Sequence, residues 1–263
     1  MPLNEDNIHR FIQHNGIKFS FANLISLLRS DYVPKYNPFL DYFEGLPKWN
    51  KVSDPDFISQ LASKVIAKDQ IRFFKQFKKM LVRVVACALN DKVFNKHAFI
   101  FVHDQQKSGK STFCRFLCPP TLQNYISESF AMDKDSLISL SENIFINLDE
   151  LSTLSKIEIN TLKSMFTKDK VKVRKPYEKK ATNSPRRCSF IGSTNKSEFL
   201  SDETGSVRWL CFEIEGIDFS YSKEINIDSV WSQAYSLYMA EFEYRLTIDE
   251  LRESEIANEK HFQ

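Results

Sequence analysis

Residues 98–112 read AFIFVHDQQKSGKST. The apolar run Ala98-Phe99-Ile100-Phe101-Val102 has the length and composition of a buried strand. A polar turn follows, then Gly109-Lys110-Ser111-Thr112, then a short amphipathic stretch over 113–117. Strand, loop and helix in that order make a phosphate cradle. The N–H groups of a tight loop and of a helix's first turn point at an anion, and the helix dipole favours negative charge there. Gly109 lets the backbone pass close to phosphates, Lys110 can reach the β- and γ-phosphates, and the Ser111 hydroxyl can bind Mg²⁺. Ser108, Gly109, Lys110, Ser111 and Thr112 are therefore the candidate nucleotide-binding residues. The full pattern has a glycine five residues before Gly109; here that position is Asp104.

The rest of the chain bounds what such a loop can serve. Its 263 residues suffice for one large domain, or one domain and a small one. Phenylalanine is the favoured core residue, with 23 copies. No apolar run is long enough to span a bilayer, and the start MPLNEDNIHR lacks the pattern of a signal peptide. The five cysteines, Cys87, Cys114, Cys118, Cys188 and Cys211, form no close pair, which points to reduced thiols and a cytoplasmic protein. The net charge is only +2, but it is uneven: residues 168–187 hold nine Lys/Arg against Asp169 and Glu178, whereas 241–263 are acidic. That asymmetry suggests a side facing a polyanion.

In chain order, residues 1–30 suggest a small hairpin or strand followed by a helix, with Asn15-Gly16 as the turn. Residues 31–55 read as an irregular, proline-rich connector around a short helix at 38–44. Ser53-Asp54-Pro55 is placed to cap a long helix running to about Asn90. Along it Lys64, Lys68, Arg72, Lys75, Lys79 and Arg83 recur at steps of three and four and form one stripe, either a solvated face or a track for phosphates. From Ala98 onward strands alternate with helices. Strands are expected at 98–102, 125–127, 143–148, 188–193 and 208–214, with helices at 109–117 and 156–167, a hairpin at 171–182 and a last helix at 229–245. Alternation of this kind predicts an α/β fold with a largely parallel sheet flanked by helices. The expected organisation is a mostly helical N-terminal region over 1–90, a P-loop core over 91–228 carrying a basic hairpin, and a C-terminal helix with an acidic tail over 229–263.

Three further constellations carry chemistry. In ENIFINLDEL a buried strand ends in Asp149 and Glu150, the first suited to hold Mg²⁺ and the second to orient or deprotonate an attacking water. In CSFIGSTN a second apolar strand ends at Asn195, which is placed to contact the γ-phosphate or the water, or else serves as a turn residue. In DETGSVRW, Arg208 follows a glycine-containing turn. It is either a surface ion-pair partner or an arginine that neutralises transition-state charge at a neighbouring subunit's site.

With these in hand the chain resembles the virulence-associated protein E family, helicase-like ATPases of phages and mobile elements related to superfamily 3 helicases within the AAA+ class. The resemblance covers roughly residues 34–245 and rests on NPFLDYF, SGKST, NLDEL, RKPYEKKATNSPRRCSFIGSTN and DETGSVRWL. It implies an AAA+-like P-loop core with Walker A at Gly109, Lys110 and Ser111, Walker B at Asp149 and Glu150, and a polar sensor at Asn195. Arg208 is the implied finger or sensor arginine, with Arg186 and Arg187 as competitors. ATP and Mg²⁺ are the expected ligands. Related ring helicases place a DNA-contacting loop where this chain has its basic hairpin. Lys170, Lys172, Arg174, Lys175, Lys179 and Lys180 would contact phosphates without reading sequence, and Tyr177 would stack on a base. The expected protein is a ring-forming ATPase acting on single-stranded DNA in replication, off the membrane, with any priming supplied by a separate primase. The alternative is a non-hydrolysing, nucleotide-dependent DNA-binding or loader module.

Overall fold

The computed structural model describes residues 4–34, 36–105, 108–128, 134–149, 151–173, 180–196, 199–200 and 206–261. The chain divides into two units, 1–38 and 39–263. In the first, α1 (Glu5–His14) and α2 (Phe21–Leu28) are each capped by a side chain, Asn4 accepting from the Asp6 N–H and Ser20 from the Asn23 N–H. The expected hairpin or strand is absent from the described residues. Gly16 takes φ +75° just past the end of α1, so Asn15-Gly16 ends a helix rather than turning a hairpin.

The second unit runs α3 (Pro38–Gly45), α4 (Phe57–Ala62), β1 (Val65–Ala67), α5 (Gln70–Leu89), β2 (Ala98–Val102), α6 (Lys110–Phe116), β3 (Ile126–Ser127), α7 (Lys134–Glu142) and β4 (Phe145–Leu148). It continues with α8 (Lys156–Phe166), β5 (Lys170–Val173), β6 (Thr182–Pro185), β7 (Ser189–Thr194), β8 (Trp209–Ile217), α9 (Tyr221–Glu224), α10 (Ile227–Met239) and α11 (Ile248–Asn258). Six strands form one sheet in the order β1-β8-β2-β7-β4-β3. All neighbours are parallel except β1, which runs antiparallel to β8. β5 and β6 form the expected hairpin apart from that sheet. The central strands are buried on both faces, which is why they read as unbroken apolar runs. Phe99 and Phe101 point to one face, with Phe212, Phe73, Phe77, Phe113 and Trp231; Ala98, Ile100 and Val102 point to the other, with Phe190, Trp209, Ile159 and Phe166. Phe99 stacks on Phe212 across the β2–β8 pair at 4.6 Å between ring centroids.

Three expectations are corrected. The long helix over 53–90 is two helices split by β1, because Val65-Ile66-Ala67 pairs with Ile217, Gly216 and Ile214, and Asp69 then caps α5 through the Arg72 N–H. The basic stripe is not one helix face: Lys64 and Lys68 flank β1 and the other four lie on α5, where Lys79 and Arg83 are buried while Lys75, like Lys68, keeps its side chain more than half exposed. Lys64 pairs with Asp218 and Glu224, Lys68 with Glu213, and Lys75 and Lys79 with Glu250; Arg72 and Arg83 donate to the carbonyls of Cys211 and Tyr244. The last helix stops at Met239, where Glu241 takes φ +57°, and the acidic tail forms α11 with a Thr247–Glu250 capping box. The five cysteines are free and buried. No described helix is long and apolar enough to cross a membrane.

Glu250 is 1% exposed, with Lys79 2.8 Å and Lys75 2.9 Å away. Burial alone would raise its carboxyl, but the two ammonium groups and the Thr247 N–H outweigh it and carry it down to about 2. Its stabilising effect is therefore complete above the ordinary value of 4.5 and is lost as pH falls toward about 2. Glu250→Gln leaves two cations without their partner, and urea unfolding at neutral pH should show a loss of about 3 kcal/mol. The variant should also lose part of the wild-type dependence on acid.

Candidate functional site

The sheet order fixes where the chemistry-bearing residues meet. β7 lies between β2 and β4, so the segments leaving all three strands emerge side by side at the carboxyl edge of the sheet. Ligands of open α/β sheets bind at that edge. The His103 N–H continues the β2–β7 pairing by donating to Thr194 O at 3.2 Å. The chain then turns through the loop and enters α6 at Lys110.

Lys110 is 6% exposed. Its ammonium donates to His103 O (3.0 Å), Gln105 O (3.1 Å) and Ser108 Oγ (2.8 Å), so the loop is wrapped round a buried positive charge. Burial holds its pKa below the usual lysine value, partly offset by the charges of Asp149 and Asp104. Ser111 donates to Asp149 Oδ1 at 2.7 Å, and so does Ser193 from the end of β7, also at 2.7 Å. One helical turn after Ser111, Arg115 Nη2 lies 3.7 Å from Asp149 Oδ2 while its Nε donates to Glu128 at 2.9 Å. Glu128 also accepts from Asn147 at 3.0 Å. Asn195 Oδ1 accepts from Ser152 at 2.6 Å, tying the end of β7 to the segment that follows Asp149.

Two glycines make this approach possible. A Cβ on Gly192 would lie 2.4 Å from Leu148 O, so Gly192 allows β4 to end close enough to β7 for Asp149 to reach Ser193. Gly109 has φ +85°, and a Cβ there would meet the ring of Phe219 at 2.5 Å. Asp104 needs no such freedom, because Glu241 is the only non-glycine with positive φ among the described residues. Asp104 is exposed and lines a cleft of about 260 Å³ beside Lys68, Glu213 and Glu215.

The structure thus brings Ser108, Gly109, Lys110, Ser111, Asp149 and Asn195 to one edge, with Thr112 exposed on α6. Glu150 lies outside the described residues, as do Arg174, Lys175, Tyr177 and Lys179. Lys170 and Lys172 stand exposed on β5 while Val171 and Val173 are buried, and Lys180 is exposed before β6. Arg208 precedes β8, at the opposite end of the sheet from Lys110, since Trp209 pairs with Ala98. Its competitors are committed elsewhere. Arg186 is wholly buried and donates to the carbonyls of Met165 and Phe166 at the end of α8, and Arg187 to Ala88 O and Asp91. Sequence reasoning missed Ser193, Arg115, Glu128 and Phe219. Arg115 was within reach of it, being four residues beyond Ser111 on one helix face.

Gly109→Ala should cost about 2 kcal/mol in urea unfolding, from positive φ together with the collision with Phe219. Adding Phe219→Ala should recover only the part due to the collision.

No curated protein matches the chain in sequence. Among solved structures it is similar to the apo C-terminal region of NrS-1 (305–718), at TM-score 0.58 and 14% identity over 86% of this chain and 55% of that one. A second structure, the A form of the apo NrS-1 C-terminal region, matches at TM-score 0.57 and 16% identity, with the same coverages of 86% and 55%. The chain spans about half the length of these relatives. At such identities the likeness is one of fold. The sequence profile of the virulence-associated protein E-like domain matches residues 44–263, nearly the whole of the second unit and every residue of the site, and the chain belongs to that family.

Proposed function

We propose that the second unit is a P-loop ATPase core of the AAA+ kind and that the chain is a DNA-translocating, helicase-like ATPase of replication in a phage or mobile element. One observation carries this reading: Ser111 and Ser193 converge on Asp149 beside a loop closed round the buried Lys110, at the carboxyl edge of a parallel sheet. In it the loop 108–112 holds the phosphates of ATP, with Lys110 exchanging its loop oxygens for phosphate oxygens. Asp149 and Ser111 offer hard oxygen donors and would hold Mg²⁺, which supplies charge neutralisation at the phosphates. The two serine donors fix the Asp149 carboxylate, and Arg115 on its other side limits the anionic charge there. Glu150, next in sequence, is the proposed base that takes a proton from the attacking water. Asn195, steered by Ser152, orients that water or a phosphate oxygen.

The same reading gives Arg208 a role in trans. Its position at the far end of β8 suits a ring in which each subunit offers an arginine to the next. The basic hairpin, with Lys170, Lys172 and Lys180 exposed, supplies the contacts to a single strand. The family's relation to helicase-like replication proteins supports DNA as the polymer.

Steady-state ATP turnover with and without single-stranded DNA tests the whole reading. Lys110→Ala should weaken nucleotide binding by tenfold or more, roughly the loss of one charge-assisted contact. Glu150→Gln should bind ATP as the parent does and turn over about a hundredfold more slowly or worse. Parent-like turnover by Glu150→Gln would remove the assigned base. For DNA, reversing Lys170 and Lys172 to Glu should weaken single-strand binding alike for all sequences. It should also flatten the plot of log affinity against log salt by roughly 0.7 for each phosphate left without its cation. An unchanged slope would leave the hairpin as a solvated face.

A further inference from the structure

A second concavity lies at the other end of the molecule's central strand. It has a volume of about 240 Å³ and is lined by Arg83, Phe94, Lys96, His97, Tyr244 and Arg245, with Asn95 and apolar side chains completing the wall. His97 directly precedes β2 and Lys110 follows it, so five strand residues, on the order of 15 Å, separate this cavity from the loop.

Its charges do not balance. Arg83 is 5% exposed, and of its guanidinium nitrogens only Nη1 has a partner, Tyr244 O at 3.2 Å. Nε and Nη2 are buried without any. Leaving donors of a charged group unpaired in the interior is expensive, and native structures seldom do it without a reason. Lys96, lying over the Phe94 ring at 5.2 Å, and Arg245 add positive charge at the rim. No carboxylate lines the cavity among the described residues. Glu250, whose charge reaches Arg83, is already shared by Lys75 and Lys79. Glu243 takes the backbone N–H of Arg245 at 2.9 Å and stays outside the wall. His97 adds no charge of its own: burial, and then the Arg83 charge, push its imidazole down to about 3, and its buried Nδ1 is also without a partner.

We propose that this cavity is a binding site for a small anion with an apolar body, a carboxylate or phosphate ester carried on an aromatic or branched aliphatic group. The anionic head lies toward Arg83, Lys96 and Arg245, and the body lies against Phe94 and Tyr244. The head supplies the counter-charge that the fold withholds from Arg83, and the rings exclude water from the pair, which strengthens it. The site is separate from the loop around Lys110 and independent of what that loop binds.

Isothermal titration of the full chain with phenyl phosphate, benzoate and inorganic phosphate, with benzamide as the uncharged control, tests it. Phenyl phosphate or benzoate should bind at least about tenfold more tightly than benzamide and inorganic phosphate, a tenfold ratio being the scale of one charge-assisted contact. The rim variant Lys96→Ala with Arg245→Ala changes only exposed side chains and should weaken that binding by roughly tenfold. Arg83→Met should abolish it, and Lys110→Ala should leave it intact. Failure of all three anions to bind overturns the proposal. So does benzamide binding as well as benzoate, which marks a merely apolar hollow, or inorganic phosphate binding as well as phenyl phosphate. Loss of binding in Lys110→Ala would place the anion at the loop instead. Should Arg83→Met not fold, the rim variant decides: parent-like affinity there refutes the site.

Discussion

Burial of β2 on both faces is the constraint from which the rest follows. A strand packed above and below must satisfy its peptide groups sideways, and β2 does so against β7 on one flank and β8 on the other, both parallel to it. Parallel partners need crossovers through helices, and those helices bring the two apolar layers that bury the strand. Because neighbours share a direction, their carboxyl ends share an edge. Lys110, Asp149 and the Ser193–Asn195 segment owe their proximity to this geometry, although long stretches of chain separate the three.

The parts of the fold that a local pattern specifies were legible. An uninterrupted apolar run followed by Gly-Lys-Ser marks β2 and its loop, and the doubled carboxylate after a second such run marks β4. What local pattern does not encode was missed. Val65-Ile66-Ala67 fits a helix as well as a strand until its partner is known, and that partner lies some 150 residues on, in β8. Asn-Gly offers positive φ to a hairpin and to a helix end alike, and the neighbouring helix caps decide between them. Ser193 joins the site because β7 is inserted between β2 and β4, and Glu128 because β3 lies beside β4, a strand order that no spacing in the sequence announces.

The uneven charge of the chain has a similar resolution. The acidic C-terminal stretch and the basic residues of α5 read separately, as a tail and as a solvated face or a track, yet one carboxylate of the tail, Glu250, is the counterion of two α5 lysines. α11 inserts Glu250 between Lys75 and Lys79, and Lys260 joins Lys68 on Glu213. Lys79, buried against Glu250, is a poor candidate for a polyanion surface, because moving it away would leave a buried carboxylate short of a partner. The hairpin lysines at 170, 172 and 180 remain on the surface, which sharpens the contrast between structural and available charge.

The rims of the sheet have a consequence for the chain's behaviour in solution. Its central strands, rich in phenylalanine and isoleucine, are the kind that polymerise when a free edge lets another chain add on. The rim strands are β1, three residues long, and β3, two residues long. β1 is bracketed by Lys64 and Lys68, both held in ion pairs, so a stranger aligning there would meet charge after a single repeat. The protein thereby borders its apolar central strands with edges that are short and, at β1, flanked by charge, the features that discourage edge-to-edge pairing.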